Sequence, residues 1–144
     1  MISQTAEYAL RAVVCLADQS APKTTAKIAR ETRVPAGYLA KVMQGLSRRG
    51  LVHAQRGLHG GFLLTASADK LTVLDVVSAV DPIRRYSECP LGKHGKVLCR
   101  LHQKLDDAAK RIEKDLAETT IAELIFVSSG DPTCSFPELN TPSL

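Results

Sequence analysis

Pro35 separates two stretches that both favour a helix, and this interruption restricts the fold more than any other feature of the chain. Proline lacks the backbone N–H and biases the preceding residue away from helical geometry, so the chain must turn near residues 33–34. Residues 24–32 before the turn and 36–49 after it each carry apolar side chains at helical spacing. The pattern predicts a helix-turn-helix.

The second predicted helix has two chemically different faces. Its apolar face carries residues at i, i+3, i+4 and i+7, namely Leu39, Val42, Met43 and Leu46. On a helical wheel of ~3.6 residues per turn, the opposite face has no carboxylate and carries Gly37, Lys41, Gln44, Gly45 and Arg48, with Tyr38 and Arg49 beside it. Such a helix suits the major groove of DNA, although a charged stripe by itself favours an ordinary solvated helix.

The segment after this helix decides between these two interpretations. Gly50 is expected to end the helix, and two short strands, one beginning at Leu51 and one returning at 62–64, enclose the tip sequence RGLHGG. Arg56 and His59 make the tip basic, and its glycines allow close approach to a backbone or to a narrow minor groove. A helix-turn-helix followed by a basic, glycine-containing wing is a specific combination, and it favours DNA binding.

Length, charge and composition agree with a DNA-binding protein and argue against others. The 144 residues suffice for one domain and a helical appendage, and the net charge of +4 gives mild support for a polyanionic partner. No apolar run is long enough to cross a bilayer and no secretion leader is visible, so we expect a cytoplasmic protein with no membrane partner. In that compartment the four cysteines favour thiol, metal or redox chemistry over structural disulfides.

The periodicity predicts a mainly α chain in four parts. These are a winged helix-turn-helix domain, a sensor loop, a dimerisation helix with a docking helix, and a flexible tail, over residues 1–82, 83–96, 97–127 and 128–144. In the first part, amphipathic helices over 2–18 and 71–80 flank the helix-turn-helix and the wing. The stripe of the first of these consists of Ala6, Leu10, Val13, Val14 and Ala17.

The long helix carries a narrow apolar seam, which consists of Leu98, Leu101, Leu105, Ala108 and Ile112. One alternative is that the seam packs back on its own domain, but the winged-helix core closes without it. DNA-reading helices usually need a two-fold dimer to reach half-sites one helical turn apart. We therefore expect the seam to pair with its twin in a homodimer.

One concentrated set of potential ligands spans the loop and the start of the long helix: Cys89, His94, Cys99 and His102. Cys99 and His102 are i and i+3, so they point the same way. Four interpretations stay open. The two cysteines are an oxidisable pair, helped by the helix N-terminus and nearby basic residues; the set binds zinc through two Cys and two His; it holds an iron–sulfur cluster through the thiolates and nitrogen or oxygen ligands; or these are ordinary loop residues.

Two residues of the first helix have simpler explanations. Glu7 lies in the first turns, where a carboxylate is favourable against the helix dipole or in a surface ion pair. Cys15 lies beside the apolar stripe and is expected to be a buried, inert small hydrophobe.

Four segments of the chain resemble the winged-helix regulators typified by IscR and NsrR. They are TAEYALRAVVCLA, IARETRVPAGYLAKVMQGLSRRGLVHAQRGLHGGFLLT, LTVLDVVSAVD and the Cys89–His102 segment followed by TTIAEL, and they cover about residues 2–125. The resemblance implies a homodimeric bacterial transcription regulator, with the second helix of the motif in the major groove and the wing in the minor groove. It also implies an iron–sulfur cluster or another redox-sensitive thiol site between the DNA-binding head and the dimer helix.

Carried over by position, the resemblance assigns roles in DNA binding. Tyr38 and Lys41 would contact bases or phosphates from the helix, and Arg56 with His59 would lie in the minor groove. The full set of expected DNA contacts is Thr25, Gly37, Tyr38, Lys41, Gln44, Arg48, Arg56, His59 and Gly60.

The sensor site departs from the family pattern. By position, Cys89, Cys99 and His102 would line it, and Glu7 stands where some members supply a carboxylate from the partner subunit. Members with a four-iron cluster have three cysteines in this loop, whereas this chain has two. If a cluster is bound, we therefore expect a 2Fe-2S form, held by two thiolates, His102 and Glu7, before a 4Fe-4S form; a plain dithiol switch, zinc or no cofactor remain the alternatives.

The sequence thus predicts a dimeric transcriptional regulator, a repressor, whose operator binding depends on a cysteine or iron–sulfur site. A thiol or metal enzyme is a weaker alternative, because the chain has no C-x-x-C on a βαβ pattern, no nucleophile elbow and no phosphate-binding loop. A winged helix used for protein contacts is a third alternative, and the effect of Arg56→Ala on DNA binding separates it from a DNA reader.

Overall fold

The computed structural model describes residues 2–17 and 20–126, which form six helices and one two-stranded sheet. The elements are α1 (Gln4–Ala17), α2 (Thr25–Thr32), α3 (Ala36–Arg48), β1 (Val52–Gln55), β2 (Gly61–Leu64), α4 (Val73–Val80), α5 (Arg100–Glu118) and α6 (Ile121–Phe126). The predicted class, mainly α with a two-stranded wing and a long C-terminal helix, is confirmed. The predicted flexible tail at 128–144 lies outside the described residues.

The predicted turn around Pro35 is confirmed. α2 begins after Thr24, whose hydroxyl accepts a hydrogen bond from the Lys27 N–H (3.2 Å) and so caps the helix. α2 ends at Arg33, which takes the left-handed conformation with φ 56°, and Pro35 leads into α3 with φ −55°. The four apolar residues predicted for the inner face of α3 are all buried: Leu39, Val42, Met43 and Leu46.

The winged helix-turn-helix part of the chain, up to residue 82, is called the head below. α1 lies at its centre and contacts α2, α3, α4 and α6. Its most buried positions are small residues, since Ala6, Ala9 and Ala12 are fully buried. The sequence pattern places Leu10 and Val14 in the apolar stripe, but both are only half-buried. Val13 and Leu16 of the same helix are buried as well, so the buried face of α1 is rotated from the predicted stripe toward the side of Ala9, Ala12 and Leu16.

The wing is an antiparallel hairpin in which Val52 pairs with Leu64. A third segment joins the hairpin, because the Lys23 N–H donates to the Phe62 carbonyl (3.1 Å) and the Phe62 N–H donates to the Lys23 carbonyl (2.7 Å). The sequence pattern gives no sign of this pairing. The base of the wing is thus fixed to the linker between α1 and α2.

α4 and α5 both start later than predicted, and in each case the capping residue explains the difference. Thr72 and Asp75 form a reciprocal capping box that starts α4 at Val73. Cys99 has extended backbone geometry (ψ 164°) and is the N-cap of α5, so the helix starts at Arg100 rather than at residue 97.

α6 connects the end of α5 to the head. Ile121 of α6 is fully buried in the core, and its N–H donates to the Leu71 carbonyl (2.8 Å). The Val73 N–H donates to the Thr119 carbonyl (2.9 Å), which joins the start of α4 to the end of α5. The C-terminal helices α5 and α6 are therefore attached to the rest of the chain at two places, the N-terminal end of α4 and the core around α1.

Part of the predicted seam of α5 is exposed in the single chain. Leu101 is 62% and Leu105 is 46% exposed, whereas the buried residues of α5 are Asp106 and Ala109. α5 thus turns a different face toward the rest of the chain and leaves part of its apolar seam uncovered. The remaining seam residues are half-buried: Leu98, Ala108 and Ile112. Within residues 2–17 and 20–126, no helix has both the length and the apolar character that a membrane span requires.

Candidate DNA interface and thiol site

The outer face of α3 carries residues that the sequence analysis proposed as DNA contacts. Four of them are exposed and lie opposite the buried apolar face: Gly37, Lys41, Gln44 and Arg48. The assignment of Gly45 to this outer face is wrong, because Gly45 faces α4 and a Cβ there would lie 3.1 Å from Val80 Cγ1. A helical wheel cannot detect this contact, since α4 approaches from 35 residues further along the chain.

Tyr38, near the start of α3, contacts α1. Its hydroxyl lies 3.0 Å from Thr5 Oγ1, and its ring meets the Tyr8 ring edge-on with the centroids 5.3 Å apart. The side chain is nevertheless 38% exposed. Tyr38 therefore anchors the start of α3 and still reaches the surface, while Thr25, the first residue of α2, is half-buried.

The tip of the wing is a tight turn. The Gly60 N–H donates to the Gly57 carbonyl (3.0 Å), and Gly57 has φ 116°. A Cβ at Gly60 would collide with the carbonyl oxygen of Gln55. The glycines therefore define the shape of the tip, which presents the exposed side chains of Arg56 and His59.

Three of the four predicted ligand residues come together at the start of α5. His102 Nδ1 lies 3.1 Å from Cys99 Sγ and 3.9 Å from Cys89 Sγ, and the three potential ligand atoms all lie within 4.8 Å of one another. Cys89 is 4% exposed, and neither thiol is in a disulfide. His94 is exposed and is not in this group, so the two-Cys, two-His zinc site is not formed by the described residues of one chain.

The sulfur of Cys99 has an environment that favours the thiolate. The pKa of Cys99 is lowered to about 7, chiefly because the backbone N–H and then the side chain of His102 donate hydrogen bonds to the sulfur, with smaller help from Cys89 and the Leu101 N–H. These donors are available because Cys99 is the N-cap of α5, where backbone N–H groups lack partners within the helix. The sequence analysis proposed the helix N-terminus and nearby basic residues as causes; the backbone donors of the helix start contribute, whereas the lysines and arginine are not among the contributors.

An ion-pair network that the sequence analysis missed holds the loop against α5. Arg85 Nε and Nη2 donate to the two carboxylate oxygens of Asp106 (2.7 and 2.9 Å), and Arg85 Nη1 donates to Glu113 (2.6 Å). The Tyr86 N–H also donates to Asp106 (2.8 Å). The hydrogen bonds from Arg85 and Tyr86 lower the pKa of Asp106 to about 2.

This network holds the loop residues Arg85 and Tyr86 in place against α5, next to the thiol site. The Tyr86 ring lies against His102 with the centroids 5.0 Å apart, three residues before Cys89. Arg85 and Asp106 are 21 positions apart, and Asp106 looks like ordinary surface charge on the long helix. The only sequence feature that could have indicated a role for Asp106 is its position one helical turn after His102, on the same face of the helix.

Glu7 forms an ion pair with Arg11 on the same helix (2.5 Å), as the simpler explanation of its position predicts. Both side chains are largely exposed, and Glu7 is not in the thiol group of its own chain. Cys15 is buried, and burial together with the hydrogen bond from its thiol to Glu31 raises its pKa to about 11. The predicted inert character of Cys15 agrees with this environment, while Cys134 lies outside the described residues.

A winged helix-turn-helix head, an exposed cationic recognition face and a thiol–imidazole group at the root of a long helix define the class of winged-helix transcriptional regulators. Residues 2–126 match the Rrf2 family, described as iron-dependent transcriptional regulators, and the chain belongs to this family. The family and its relatives are transcriptional regulators, so the protein is a regulator and not an enzyme.

The chain is similar to several known proteins over most of their length. It is 33% identical over 133 residues to a protein of Aquifex aeolicus classed as an HTH-type transcriptional regulator, covering 88% of this chain and 92% of the relative. It is 30% identical over 128 residues to the transcriptional regulator IscR of Xenorhabdus nematophila, covering 86% and 78%. The predicted resemblance to IscR-type regulators is thereby confirmed.

Solved structures share the fold. The structure of IscR from T. potens superposes with a TM-score of 0.73 at 20% identity, covering 94% of this chain and 91% of that one. CymR, the global cysteine regulator of B. subtilis, superposes with a TM-score of 0.72 at 23% identity, covering 88% and 97%. At these identities the likeness concerns the arrangement of the helices and the wing.

Proposed function

We propose that this protein is a homodimeric repressor whose affinity for a double-stranded DNA operator is controlled by the site formed by Cys89, Cys99 and His102. The observation that carries the proposal is the position of this site. It lies at the N-cap of α5, where a change at the sulfur atoms acts directly on the helix that joins two DNA-binding heads. Because an operator is part of the chromosome, the protein would act in the bacterial cytoplasm.

The two DNA-contacting parts fit two different grooves. The exposed face of α3, with Lys41, Gln44 and Arg48, has the cationic and amide groups that bind phosphates and base edges in a major groove. The tight, basic tip with Arg56 and His59 has the size and charge for a narrow minor groove. We assign lesser contacts to the remaining exposed or half-exposed residues of the two parts: Thr25, Gly37, Tyr38 and Gly60.

A second copy of the chain would cover the seam of α5. Leu101 and Leu105 are both exposed, and they lie one helical turn apart on the same stripe of a helix of 19 residues. An antiparallel or crossed pair of such helices would bury both stripes and hold two heads at a fixed spacing.

The donor set fits a 2Fe-2S cluster better than a 4Fe-4S cluster. Two thiols and one imidazole converge within 4.8 Å, and mixed thiolate and nitrogen ligation is known for two-iron clusters. Cys89, Cys99 and His102 would hold the group, with Glu7 of the partner subunit as the fourth ligand. Such a cluster supplies a change of charge and of ligand positions when it is oxidised, reduced or lost.

A metal-free dithiol switch is the second candidate, and the free thiols on either side of His102 support it. Cys99 has the lowered pKa of a reactive thiol, and its sulfur atom lies within 4.8 Å of that of Cys89. Oxidation would join the two sulfur atoms, release two protons and pass two electrons to an external oxidant such as a peroxide.

Both candidates transmit the signal through the same structural elements. The loop is fixed to α5 by the ion pair between Arg85 and Asp106. A movement of Cys89 or Cys99 therefore either shifts the start of α5 or breaks this ion pair. Because α5 would set the relative position of two heads, a small rotation would move both α3 helices away from adjacent major grooves.

The composition of the anaerobically purified protein tests the site, and its operator affinity tests the control. Brown protein with equal iron and sulfide indicates a cluster, colourless protein with zinc indicates a structural metal, and colourless metal-free protein indicates the dithiol. Cys99→Ser is expected to abolish any response of DNA binding to oxidation, whereas the matched variant Cys15→Ser keeps it. An unchanged response in Cys99→Ser would refute the assignment of the site. Specific binding should also weaken steeply with added salt, as phosphate contacts require.

A further inference from the structure

We propose that Lys23 is a positioning residue for DNA binding, whose buried ammonium group ties the base of the wing to α1 and α2 and so fixes the direction in which the wing meets DNA. Lys23 lies far from the thiol site in the sequence, and neither the helical pattern nor the resemblance assigns it a role. The inference rests on the proposed function, because it concerns how the wing is presented to the minor groove.

The side chain of Lys23 is held by acceptors from two helices. Only 4% of the residue is exposed, and its ammonium group donates to the Cys15 carbonyl of α1 (2.9 Å) and to Glu31 Oε2 of α2 (2.7 Å). The Cys15 sulfur, at 3.4 Å, is the third acceptor. The three donors of the ammonium group are therefore all used, and none of them is left to water.

The charge state of this group supports a fixed position. Burial is the largest single effect and would lower the pKa of Lys23, but the hydrogen bonds to Glu31 and Cys15 and the attraction of these two groups together outweigh it, so the pKa is raised. The same hydrogen bond lowers the pKa of Glu31 against the effect of its own burial. A charged group of this kind tolerates burial only while its partners stay in place, so the ammonium group resists displacement from the α1–α2 junction.

The backbone of the same residue holds the wing. The Lys23 N–H and carbonyl form both hydrogen bonds of a β-bridge to Phe62 in β2. Next to it, Gly61 has φ 149°, and a Cβ there would lie 2.5 Å from the Lys23 carbonyl carbon and oxygen. β2 therefore packs directly on the Lys23 backbone, with no side chain between them to absorb a shift.

Lys23 thus connects three elements of the fold, α1, α2 and β2. Its side chain fixes it to α1 and α2, its backbone fixes β2, and β2 leads directly from the tip that carries Arg56 and His59. The hairpin is only two strands wide and lacks stability of its own, so its direction depends on this attachment.

A double-mutant cycle tests the inference. The probe is a fluorescein-labelled duplex recovered by repeated selection on the native full-length protein from a random duplex library, and binding is measured by anisotropy. Arg56→Ala is measured in the native background and in the Lys23→Met background, and Lys41→Ala on α3 is the matched control in both. Glu31→Gln keeps the shape of the ion-pair partner of Lys23 and removes its charge. It provides a second background if circular dichroism shows that the Lys23→Met variant is unfolded.

We expect Arg56→Ala to weaken binding about tenfold in the native protein and less than about threefold in the Lys23→Met or Glu31→Gln background, because a misdirected wing has little contact to lose. Lys41→Ala should weaken binding by the same factor in all three backgrounds. An Arg56→Ala effect that is equally large in every background would overturn the inference and leave the proposed function intact. An Arg56→Ala variant that binds like the native protein would overturn the wing contact itself, and the inference with it.

Discussion

Cys15 in the head and Cys99 at the root of α5 both lie beside a basic side chain and a hydrogen-bonding network, yet their thiols differ. The pKa of Cys15 is raised to about 11, first by burial and then by the hydrogen bond that its thiol donates to Glu31. The pKa of Cys99 is lowered to about 7, first by the His102 N–H that donates to its sulfur. Lys23 lies 3.4 Å from the Cys15 sulfur, but its attraction is too weak to reverse the effect of burial.

The comparison teaches that the direction of the hydrogen bonds, together with exposure, decides which thiol can react. At a helix N-cap the backbone supplies donors to a sulfur atom without the cost of an additional charged side chain. In the interior, a thiol that donates to a carboxylate stays protonated, and the cluster around it serves structure. The head thus uses its polar cluster to fix the wing, whereas the root of α5 uses a similar set of groups to keep a thiol reactive.

The largest expected effect is in alkylation. In reduced, metal-free protein at pH 7, we expect iodoacetamide to modify Cys99 about a hundredfold faster than Cys15. Their pKa values differ by about four units (about 11 against about 7), so Cys99 carries far more thiolate, while the lower-pKa thiolate is itself less nucleophilic and offsets part of this advantage. Mass spectrometry of the two tryptic peptides over time measures both rates. In denaturant the two should react alike, and similar rates in the folded protein would break the contrast between the clusters.

A smaller effect is expected at the glycine that packs on the head cluster. Gly61→Ala should lower the free energy of unfolding by about 2 kcal/mol, since it combines a positive φ with a collision against the Lys23 backbone. Gly50 has φ 72° but open space around it, so the matched Gly50→Ala variant should cost only about 1 kcal/mol. Urea unfolding measures both, and equal losses would mean that the contact with Lys23 does not constrain the wing.

The smallest expected effect is in acid. The pKa of Asp106 in the folded protein is about 2, below its ordinary value of 3.8, so the stability it contributes is present above pH 3.8 and is lost as the pH falls toward 2. Asp106→Asn should therefore make the midpoint of thermal unfolding less dependent on pH in this range. The control is Asp115→Asn, an exposed residue of the same helix, which should leave the pH dependence unchanged. If the native protein and the Asp106→Asn variant show the same pH dependence, the Arg85–Asp106 ion pair does not stabilise the folded protein.

The sequence was a good guide to features that depend on near neighbours. Pro35 determines the turn of the motif, and the glycine-containing tip RGLHGG between two short strands defines the hairpin, and each of these signals lies within a few residues of its effect. The convergence of Cys99 and His102 is equally local, because it follows from i, i+3 spacing at the start of a helix.

The features that the sequence did not reveal depend on tertiary packing. Lys23 looked like a loop residue because its partners lie eight positions away on either side, on two different helices. Arg85 and Asp106 meet only because the loop folds back on α5, and Gly45 faces inward only because α4 covers it. Charged residues carry no periodicity that indicates a partner, so such pairs become visible only once the helices are in place.

One measurement tests the central claim most directly: the affinity of the same anaerobically purified protein for its selected operator duplex, before and after controlled oxidation. We predict a change of about tenfold or more, the size of a typical coupling between two sites, with native and Cys15→Ser protein responding and Cys99→Ser protein not responding. Identical affinities in the two states of the native protein would contradict control of DNA binding by the thiol site.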